Sequence, residues 1–162
     1  MTTYTASVND YNSAVQNFLR QGIDEQLALL WYVYKQMGDR VTPAAPGAAA
    51  DEIASGLYGQ VKAMSQMQQL EAMRNIAQGV QGDVISREYG SLSDNTRLAF
   101  WFFLARGMDT GEIVPMPDDY QLSVQGRELL AAIETMDFET QITVLRNVVE
   151  AMGGEPRPGA EV

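Results

Sequence analysis

The sequence predicts an all-α protein, and three observations support this fold class. Apolar residues recur at steps of three and four, as in Ile23, Leu27, Leu30, Tyr34 and Met37, which places them on one face of a helix. Residues that commonly cap helix N-termini precede several such stretches, and glycines follow them. No stretch shows the sustained alternation of apolar and polar residues that is typical of a half-buried strand. We therefore expect helices throughout the folded part of the chain.

Start and stop signals divide the chain into about eight helices. Side-chain oxygens of Asp24, Ser65 and Asp137 are predicted to cap three of them, because they can accept hydrogen bonds from the free N–H groups of a first turn. A glycine, which readily takes the left-handed conformation, directly follows each of these three helices. In chain order, the predicted helices run from Asp10 to Arg20, Asp24 to Met37, Ala48 to Ala63, Ser65 to Gln78, Asp83 to Tyr89, Ser93 to Met108, Ser123 to about Thr135 and Asp137 to Met152.

Two loops separate these helices where prolines come in spaced pairs. They span residues 38–47, beginning at the expected helix terminator Gly38, and residues 111–120. From Gly153 the chain contains mainly glycine, proline and charged residues, so we expect it to be mobile. The predicted organisation is one helical domain over residues 1–153 and a flexible tail over residues 154–162.

Composition excludes several classes of function. The 162 residues include no Cys and no His, which removes disulfide frameworks, imidazole-based catalysis and the usual zinc sites. We therefore expect no enzymatic activity and no metal. The net charge is -10, from 11 basic and 21 acidic residues, whereas a nucleic-acid surface needs clustered Lys and Arg. We expect no nucleic-acid partner.

The longest apolar runs are too short to cross a membrane. The two longest runs are Leu27 to Tyr34 and Leu98 to Ala105. Each is less than half as long as the ~20 residues that a membrane-spanning helix needs. The N-terminus has no basic region followed by an apolar stretch, so nothing indicates a secretory signal. We expect a cytoplasmic protein without a membrane span.

An internal repeat is visible at a shift of 70 to 72 residues. Asp24 and Trp31 match Asp94 and Trp101, and in both copies the tryptophan lies in an apolar run that precedes a proline loop. The second part of the repeat pairs Met64, Gln69, Leu70, Met73, Arg74, Asn75 and Ile76 with Met136, Gln141, Ile142, Leu145, Arg146, Asn147 and Val148. Amphipathic helices match by chance at apolar positions, but not at the polar Gln and Arg-Asn positions in register. We therefore favour a duplication, with two helical halves facing each other about a pseudo-two-fold axis.

Aromatic residues and methionines form a stripe on one helix of each half. The first stripe comprises Leu27, Trp31 and Tyr34, and the second comprises Leu98, Trp101, Ala105 and Met108, all at helical spacing. Such residues most often fill a protein core. However, two wide aromatic stripes that meet across a pseudo-two-fold axis can also leave a long apolar slot for a hydrophobic ligand.

The other groups of polar residues do not form a recognisable catalytic or metal-binding motif. The acidic pairs Asp118–Asp119 and Asp51–Glu52 lack a third ligand and do not share a helical face, so we interpret them as solvated residues. The repeated Arg74 and Arg146 leave two interpretations open. They either bond neighbouring helix ends and carboxylates or bind a partner.

Several separated segments resemble one known family. They are DEQLALLWYVYKQMG, AAPGAA, QQLEAM, FWFFL, PMPDDYQLS and QITVLRN, spread over residues 24–153. This pattern is similar to the N-terminal, carotenoid-binding domain of the cyanobacterial orange carotenoid protein. Since no mixed α/β domain follows, the chain also resembles the helical carotenoid proteins, which are free-standing copies of that domain.

The resemblance implies two interleaved four-helix bundles and a bound ketocarotenoid, canthaxanthin or echinenone, and it associates chloride with the family as a further ion. The carotenoid contacts that it implies are Leu27, Trp31, Tyr34, Met73, Leu98, Trp101, Phe102, Ala105, Met108, Met116, Tyr120, Thr143, Arg146 and Val149. It places a partner-binding surface at Arg146 and Asn95.

The resemblance favours a photoprotective role, as a singlet-oxygen quencher or carotenoid carrier, for a monomer or weak homodimer. An alternative is a constitutive energy quencher that docks on the phycobilisome at the thylakoid surface through the region around Arg146. A detached homologue of the missing C-terminal domain is the implied carotenoid donor. A pigment-free helical adaptor, with the aromatic residues simply in the core, is the interpretation that needs no ligand.

Overall fold

The structure, a computed structural model, describes residues 6–37 and 48–154. Within these ranges the chain forms eight α-helices and no strand, which confirms the predicted all-α class. The helices are α1 (Ala6–Arg20), α2 (Ile23–Met37), α3 (Ala48–Lys62), α4 (Gln66–Gln78), α5 (Val84–Gly90), α6 (Asp94–Thr110), α7 (Val124–Glu134) and α8 (Phe138–Glu150).

Five predicted helix starts are confirmed by their capping hydrogen bonds. The side chains of Ser65, Asp83, Ser93, Ser123 and Asp137 each accept a hydrogen bond from the backbone N–H three residues later. The cap of α4 is completed by the Gln68 side chain, which accepts from the backbone N–H of Ser65 and so forms a capping box. These starts depend only on residues close in sequence, and for this reason the sequence predicts them.

The predicted cap at Asp24 is wrong. Helix α2 begins one residue earlier, at Ile23, and the Gln26 N–H donates to the Gly22 carbonyl at 2.9 Å. Asp24 lies inside the first turn, where its carboxylate binds the Arg74 guanidinium instead. Since a glycine tolerates the capping position at little cost, the acidic side chain is free to form this tertiary contact.

The other boundaries differ from the prediction by a few residues. Helix α1 begins at Ala6 rather than Asp10, and α6 continues two residues beyond Met108. Helix α8 ends at Glu150 rather than Met152. Gly79 has the predicted left-handed conformation after α4, with φ of 71°. The predicted terminator Gly38 and the first proline loop lie outside the described residues.

The helices form two interleaved bundles. Helix α1 packs against α7 and α8, and α2 packs against α7, so α1, α2, α7 and α8 form the first bundle. Helix α3 packs against α4, α5 and α6, and α4 also contacts α5, so α3 to α6 form the second bundle. The bundles meet where α2 contacts α4 and α6, and where α6 contacts α8.

These helix contacts have the pseudo-two-fold symmetry that the sequence repeat predicts. If α1 to α4 are exchanged with α5 to α8, the contact of α2 with α7 becomes that of α6 with α3. In the same way, the contact of α2 with α4 becomes that of α6 with α8. The helices that carry the repeated tryptophans, α2 and α6, contact each other at the pseudo-axis.

The repeated polar residues occupy equivalent places in the two halves. Gln69 and Gln141 are both buried, and both side-chain amides donate to carbonyls at the end of, or just after, the preceding helix, such as those of Met64 and Ile133. Arg74 bonds Asp24 in the first turn of α2, while Arg146 bonds Asn95 in the first turn of α6. The polar matches in the repeat therefore reflect structural roles that both halves share.

The chain remains ordered slightly beyond the last helix. The Gly153 N–H donates to the Ile76 carbonyl at 2.8 Å, and the Gly154 N–H donates to the Ser86 carbonyl at 2.9 Å. These two bonds join Gly153 and Gly154 to α4 and α5, and the expected mobility of the tail stays a prediction. The predicted tail beyond them lies outside the described residues.

No helix of the described ranges is long and apolar enough to cross a bilayer. Among the same residues, no three acidic side chains come close enough together to hold a metal ion.

Candidate functional site

An apolar cavity of about 170 Å³ lies where the two bundles meet. The first bundle contributes Asp24, Leu27, Ala28, Leu30, Trp31 and Tyr34 from α2 and Leu145 from α8. The second contributes Leu70, Met73 and Arg74 from α4 and Leu98, Trp101, Phe102, Leu104, Ala105 and Met108 from α6. The loop after α6 adds Val114, Pro115, Met116, Pro117 and Tyr120. The lining on α2 extends over ten residue steps, which corresponds to about 15 Å along the helix axis.

Aromatic rings from α2 and α6 form one wall of the cavity. The rings of Trp31 and Tyr34 lie 6.4 Å apart with an interplanar angle of 26°, and Phe102 lies 6.2 Å from Tyr34. The Lys35 ammonium lies 5.3 Å from the centre of the Trp31 ring and bonds the Asp109 carboxylate at 3.0 Å. This contact joins the end of α2 to the end of α6 and helps to hold the Trp31 ring in place.

Trp101 is buried, and its polar edge is used inside the core. Its indole N–H donates to the Tyr89 hydroxyl at 2.9 Å, and this hydroxyl donates to the Val149 carbonyl at 2.6 Å. Complete burial raises the pKa of Tyr89 far above its usual value, so the hydroxyl remains a donor. Since the indole N–H is satisfied, Trp101 lines the cavity with apolar ring surface.

Residues 114–120 of the loop after α6 form one wall of the cavity, which we call the loop wall. Gln69 anchors the N-terminal end of this loop wall. The Val114 N–H donates to the Gln69 side-chain carbonyl at 2.7 Å, and the Gln69 amide donates to the Glu112 carbonyl at 3.1 Å. The Glu112 carboxylate accepts from the Tyr58 hydroxyl at 2.7 Å and lies 3.3 Å from the Lys62 ammonium. Burial and the hydrogen bond to Glu112 raise the pKa of Tyr58. These contacts attach the loop to α3 and α4.

Glu25 anchors the other end of the loop wall. Its carboxylate accepts from the Tyr120 hydroxyl at 2.7 Å, from the Ser123 N–H at 2.8 Å and from the Ser123 hydroxyl at 2.9 Å. Burial raises the pKa of Glu25, but the hydrogen bonds from Tyr120 and Ser123 and the charge of Arg127 outweigh it and lower the pKa below its usual value. Burial and the bond to Glu25 raise the pKa of Tyr120 to about 12. Glu25 thus binds the loop as a carboxylate.

One mouth of the cavity is charged. The Arg74 guanidinium donates to both oxygens of Asp24, at 2.8 and 3.0 Å, and both side chains are about half exposed. Asp24, Arg74 and Tyr120 also line a second, polar depression together with Gly22, Ile23, Glu25 and Gln78. The apolar cavity therefore opens here onto a polar surface. We call the group Asp24, Arg74 and Tyr120 the polar mouth.

Most of the predicted contact residues line this cavity. They are Leu27, Trp31, Tyr34, Met73, Leu98, Trp101, Phe102, Ala105, Met108, Met116 and Tyr120. The structure places the other three elsewhere. Val149 is fully buried in the core, Thr143 donates its hydroxyl to the Glu139 carbonyl on the surface of α8, and Arg146 bonds Asn95 at 3.0 Å. For all fourteen residues, contact with a carotenoid stays a prediction.

Sequence reasoning missed several lining residues, and for some of them a signal was present. Leu145 is the repeat counterpart of Met73, so applying the repeat to the predicted site would have found it. Pro115 and Pro117 belong to the proline loop that supplies Met116. For Leu104, no pattern in the sequence distinguishes a cavity-lining position from a core position, because this depends on the rotation of α6 against its neighbours.

The sequence of the chain matches a known family over nearly its full length. The family is described as the orange carotenoid protein, N-terminal, and the match covers residues 4–155. This chain belongs to that family. The resemblance inferred from the separated segments and the interleaved bundle fold are therefore confirmed.

Relatives and solved structures agree with this family membership. An orange carotenoid-binding domain-containing protein of Nostoc sp. (strain PCC 7120 / SAG 25.82 / UTEX 2576) is 48% identical over 144 residues, which is 89% of this chain and 84% of that protein. The orange carotenoid-binding protein of Limnospira maxima is 39% identical over 141 residues, and this chain covers 44% of its length. The red carotenoid protein of Anabaena (Nostoc) sp. PCC 7120, solved with canthaxanthin, is 45% identical with a TM-score of 0.79, covering 90% of this chain and 99% of that one.

Proposed function

We propose that this chain binds a ketocarotenoid in the cavity between its bundles and serves in photoprotection, as a singlet-oxygen quencher or carotenoid carrier. The observation that carries the proposal is the apolar cavity lined by Trp31, Tyr34, Trp101 and Phe102. Its family membership and its similarity to a red carotenoid protein solved with canthaxanthin support the choice of ligand.

The energetics of burial favour such a ligand. A carotenoid is nearly insoluble in water, and burying about 500 Å² of its apolar surface contributes roughly 12 kcal/mol before ordering costs. The cavity of about 170 Å³ is smaller than the ~300–1,000 Å³ of pockets that enclose drug-sized ligands. We therefore expect a long polyene to spread the walls and to extend beyond the cavity mouths.

The protein would hold the pigment without reacting with it. Indole, phenol and phenyl faces pack flat on a conjugated chain, and flexible residues such as Met73, Met108 and Met116 let the walls follow its curve. The bound carotenoid itself supplies the quenching, through a triplet state low enough to accept energy from singlet oxygen. No acid, base or nucleophile of this chain is needed, so we expect no enzymatic activity.

The visible absorption spectrum tests this proposal. The chain would be expressed with and without a canthaxanthin-producing background and purified from both. A red-shifted carotenoid band that co-purifies with the protein only in the first case is the expected result. A colourless, well-folded protein from both backgrounds would contradict the proposal and favour the pigment-free adaptor.

A second candidate function is docking on the phycobilisome antenna through the surface around Arg146 and Asn95. The observation in its favour is the partly exposed Arg146 side chain, which bonds Asn95 at 3.0 Å. The net charge of -10 does not favour an acidic partner. Phycobilisome fluorescence that stays unchanged with excess pigmented protein at low salt would reject this candidate.

A separate C-terminal-domain homologue is the partner proposed to deliver the carotenoid.

A further inference from the structure

The charged groups that line the described cavity are confined to one place. Among its lining residues, only Asp24 and Arg74 carry a charge, and both belong to the polar mouth. Two of its neutral polar groups are occupied elsewhere, since the Trp101 N–H donates to Tyr89 and the Tyr120 hydroxyl donates to Glu25. Arg74 is therefore the only charged hydrogen-bond donor among the lining residues of this cavity.

Arg74 has donors to spare. Its Nε and Nη2 atoms bond the two Asp24 oxygens, which uses two of the five N–H groups of the guanidinium. In residues 6–37 and 48–154, the remaining N–H groups of Arg74 have no hydrogen-bond partner. The bidentate contact also holds the guanidinium plane in a fixed orientation. A preorganised donor with free N–H groups is suited to an oxygen acceptor on the ligand.

The repeat counterpart does not provide an equivalent donor at the cavity. Arg146 bonds Asn95 through its Nε, and neither Arg146 nor Asn95 lines the cavity. The two halves share a backbone arrangement, but within the described residues the guanidinium reaches the cavity from one half only. A ligand with a polar ring at its end would therefore be oriented by this asymmetry.

We propose that Arg74 selects carotenoids whose terminal ring carries an oxygen acceptor, by donating a hydrogen bond to that oxygen at the polar mouth. This inference rests on the proposed carotenoid binding and deepens it. Arg74 is then a specificity-determining residue, and Asp24 is the positioning residue that orients its guanidinium. A ring that bears a carbonyl oxygen satisfies the donor, whereas a pure hydrocarbon ring leaves it to water.

Competition between two pigments with the same carbon skeleton tests the proposal. Apoprotein would be offered equal amounts of canthaxanthin, which has ring carbonyls, and β-carotene, which has none. The bound pigments are then extracted and quantified. We expect the wild-type protein to favour canthaxanthin by about ten-fold, the lower end for a hydrogen bond to a charged group, because water competes at an exposed mouth.

Arg74→Met removes the donors but keeps the length of the side chain. We expect this variant to take up both pigments about equally, because the donor that distinguishes them is gone. Arg20→Met is the matched control, since it removes an exposed arginine of α1 that is not part of the cavity lining. It should keep the wild-type ratio. Circular dichroism checks the fold of each variant, and Arg74→Leu, which also lacks a donor, replaces Arg74→Met if the latter does not fold.

Asp24→Asn distinguishes the role of the Arg74 donors from the role of the ion pair with Asp24. This variant keeps the Arg74 donors but weakens the contact that orients them, so we expect it to reduce the preference for canthaxanthin without abolishing it. If Arg74→Met keeps the wild-type preference, the proposal is overturned. An equal uptake of both pigments by the wild type would also overturn it but leave the proposed function intact. Uptake of neither pigment would overturn both, so the two failures can be told apart.

Discussion

At the scale of single residues, Glu25 joins distant parts of the chain although its sequence context does not indicate this role. It stands next to the predicted cap Asp24, yet its carboxylate holds Tyr120 and Ser123, nearly 100 positions later in the chain. These bonds join the first turn of α2 to the loop wall and to the start of α7. Because a Glu in a first turn is common on any surface helix, its neighbours in sequence do not reveal this role.

Glu25→Gln is expected to destabilise the protein at neutral pH. The amide of glutamine cannot accept all three hydrogen bonds that the carboxylate accepts. We expect a loss of about 1 kcal/mol in the free energy of unfolding, since the site is partly exposed to solvent. Urea unfolding at pH 7 measures it, with the exposed Glu71→Gln on α4 as the control. Equal stabilities of the two variants would contradict the role of Glu25.

The same residue predicts a pH dependence. The pKa of Glu25 in the folded protein is lowered from its ordinary value of 4.5, so its stabilising contribution is present above that value. The contribution is lost as the pH falls through the folded pKa. The difference in unfolding free energy between wild type and Glu25→Gln should therefore shrink when urea unfolding is repeated below pH 4. A difference that stays constant between the two conditions would contradict this linkage.

Tyr89→Phe tests the buried hydrogen bonds behind the cavity. Removing the Tyr89 hydroxyl leaves the Trp101 N–H and the Val149 carbonyl without these partners. An unsatisfied buried group costs about 1 to 3 kcal/mol, and we expect a loss of unfolding free energy in this range. Chemical denaturation compares it with Tyr11→Phe, at a half-buried tyrosine of α1. If both variants are equally stable, the hydroxyl of Tyr89 has no structural role.

At the scale of secondary-structure elements, α6 is the central helix of the site. It supplies Leu98, Trp101, Phe102, Ala105 and Met108 to the cavity and contacts α2, α3 and α8. Gly107 lets α6 pack closely against α3 and against the loop that follows α6. A Cβ atom at this position would meet the Tyr58 hydroxyl and the Ile113 side chain. The absence of a side chain thus lets helix, loop and α3 pack together.

Gly107→Ala is therefore expected to destabilise the protein, although alanine favours a helix. The steric conflict should lower the free energy of unfolding by about 1 to 3 kcal/mol. Gly56→Ala in α3 is the matched control, because nothing lies within 4 Å of the added Cβ. This second variant should gain about 0.5 to 1 kcal/mol from helix propensity alone. Thermal unfolding compares them, and a shift of the same sign in both would contradict the packing argument.

The helix boundaries show how far local patterns predict these elements. Ser65, Ser93, Ser123 and Asp137 cap helices as predicted, since an N-cap bonds a backbone group three residues away. Asp24 has the same residue type and a similar position but contacts Arg74, fifty residues later. Where a distant partner competes with a local cap, the sequence pattern alone does not determine the outcome.

At the scale of the whole molecule, the two interleaved bundles both contribute walls to the cavity. The first bundle provides α2 and α8 and the second provides α4 and α6, so any ligand in the cavity contacts both. A ligand that binds only the folded protein stabilises it by mass action. Bound carotenoid should therefore stabilise the two bundles together.

We accordingly expect the pigmented protein to melt at a higher temperature than the apoprotein. With free ligand at a hundred times its dissociation constant, the stabilisation is about 2.7 kcal/mol. For a chain of this size it corresponds to a rise of roughly 5 to 10 °C in Tm. Circular dichroism melting of both forms measures the rise. Identical melting temperatures for the pigmented and pigment-free forms would contradict binding at the interface of the bundles.

The sequence by itself determined the helical class, most helix starts, the internal repeat and the two aromatic stripes. All of these follow from periodicity, local capping and repeated residue types, which depend on neighbours along the chain. Only the tertiary structure decided that Asp24 binds Arg74, that Glu25 holds the loop wall, and that Leu145 rather than Val149 lines the cavity. The physical reason is that the rotation of each helix and the path of each loop depend on packing between residues far apart in sequence.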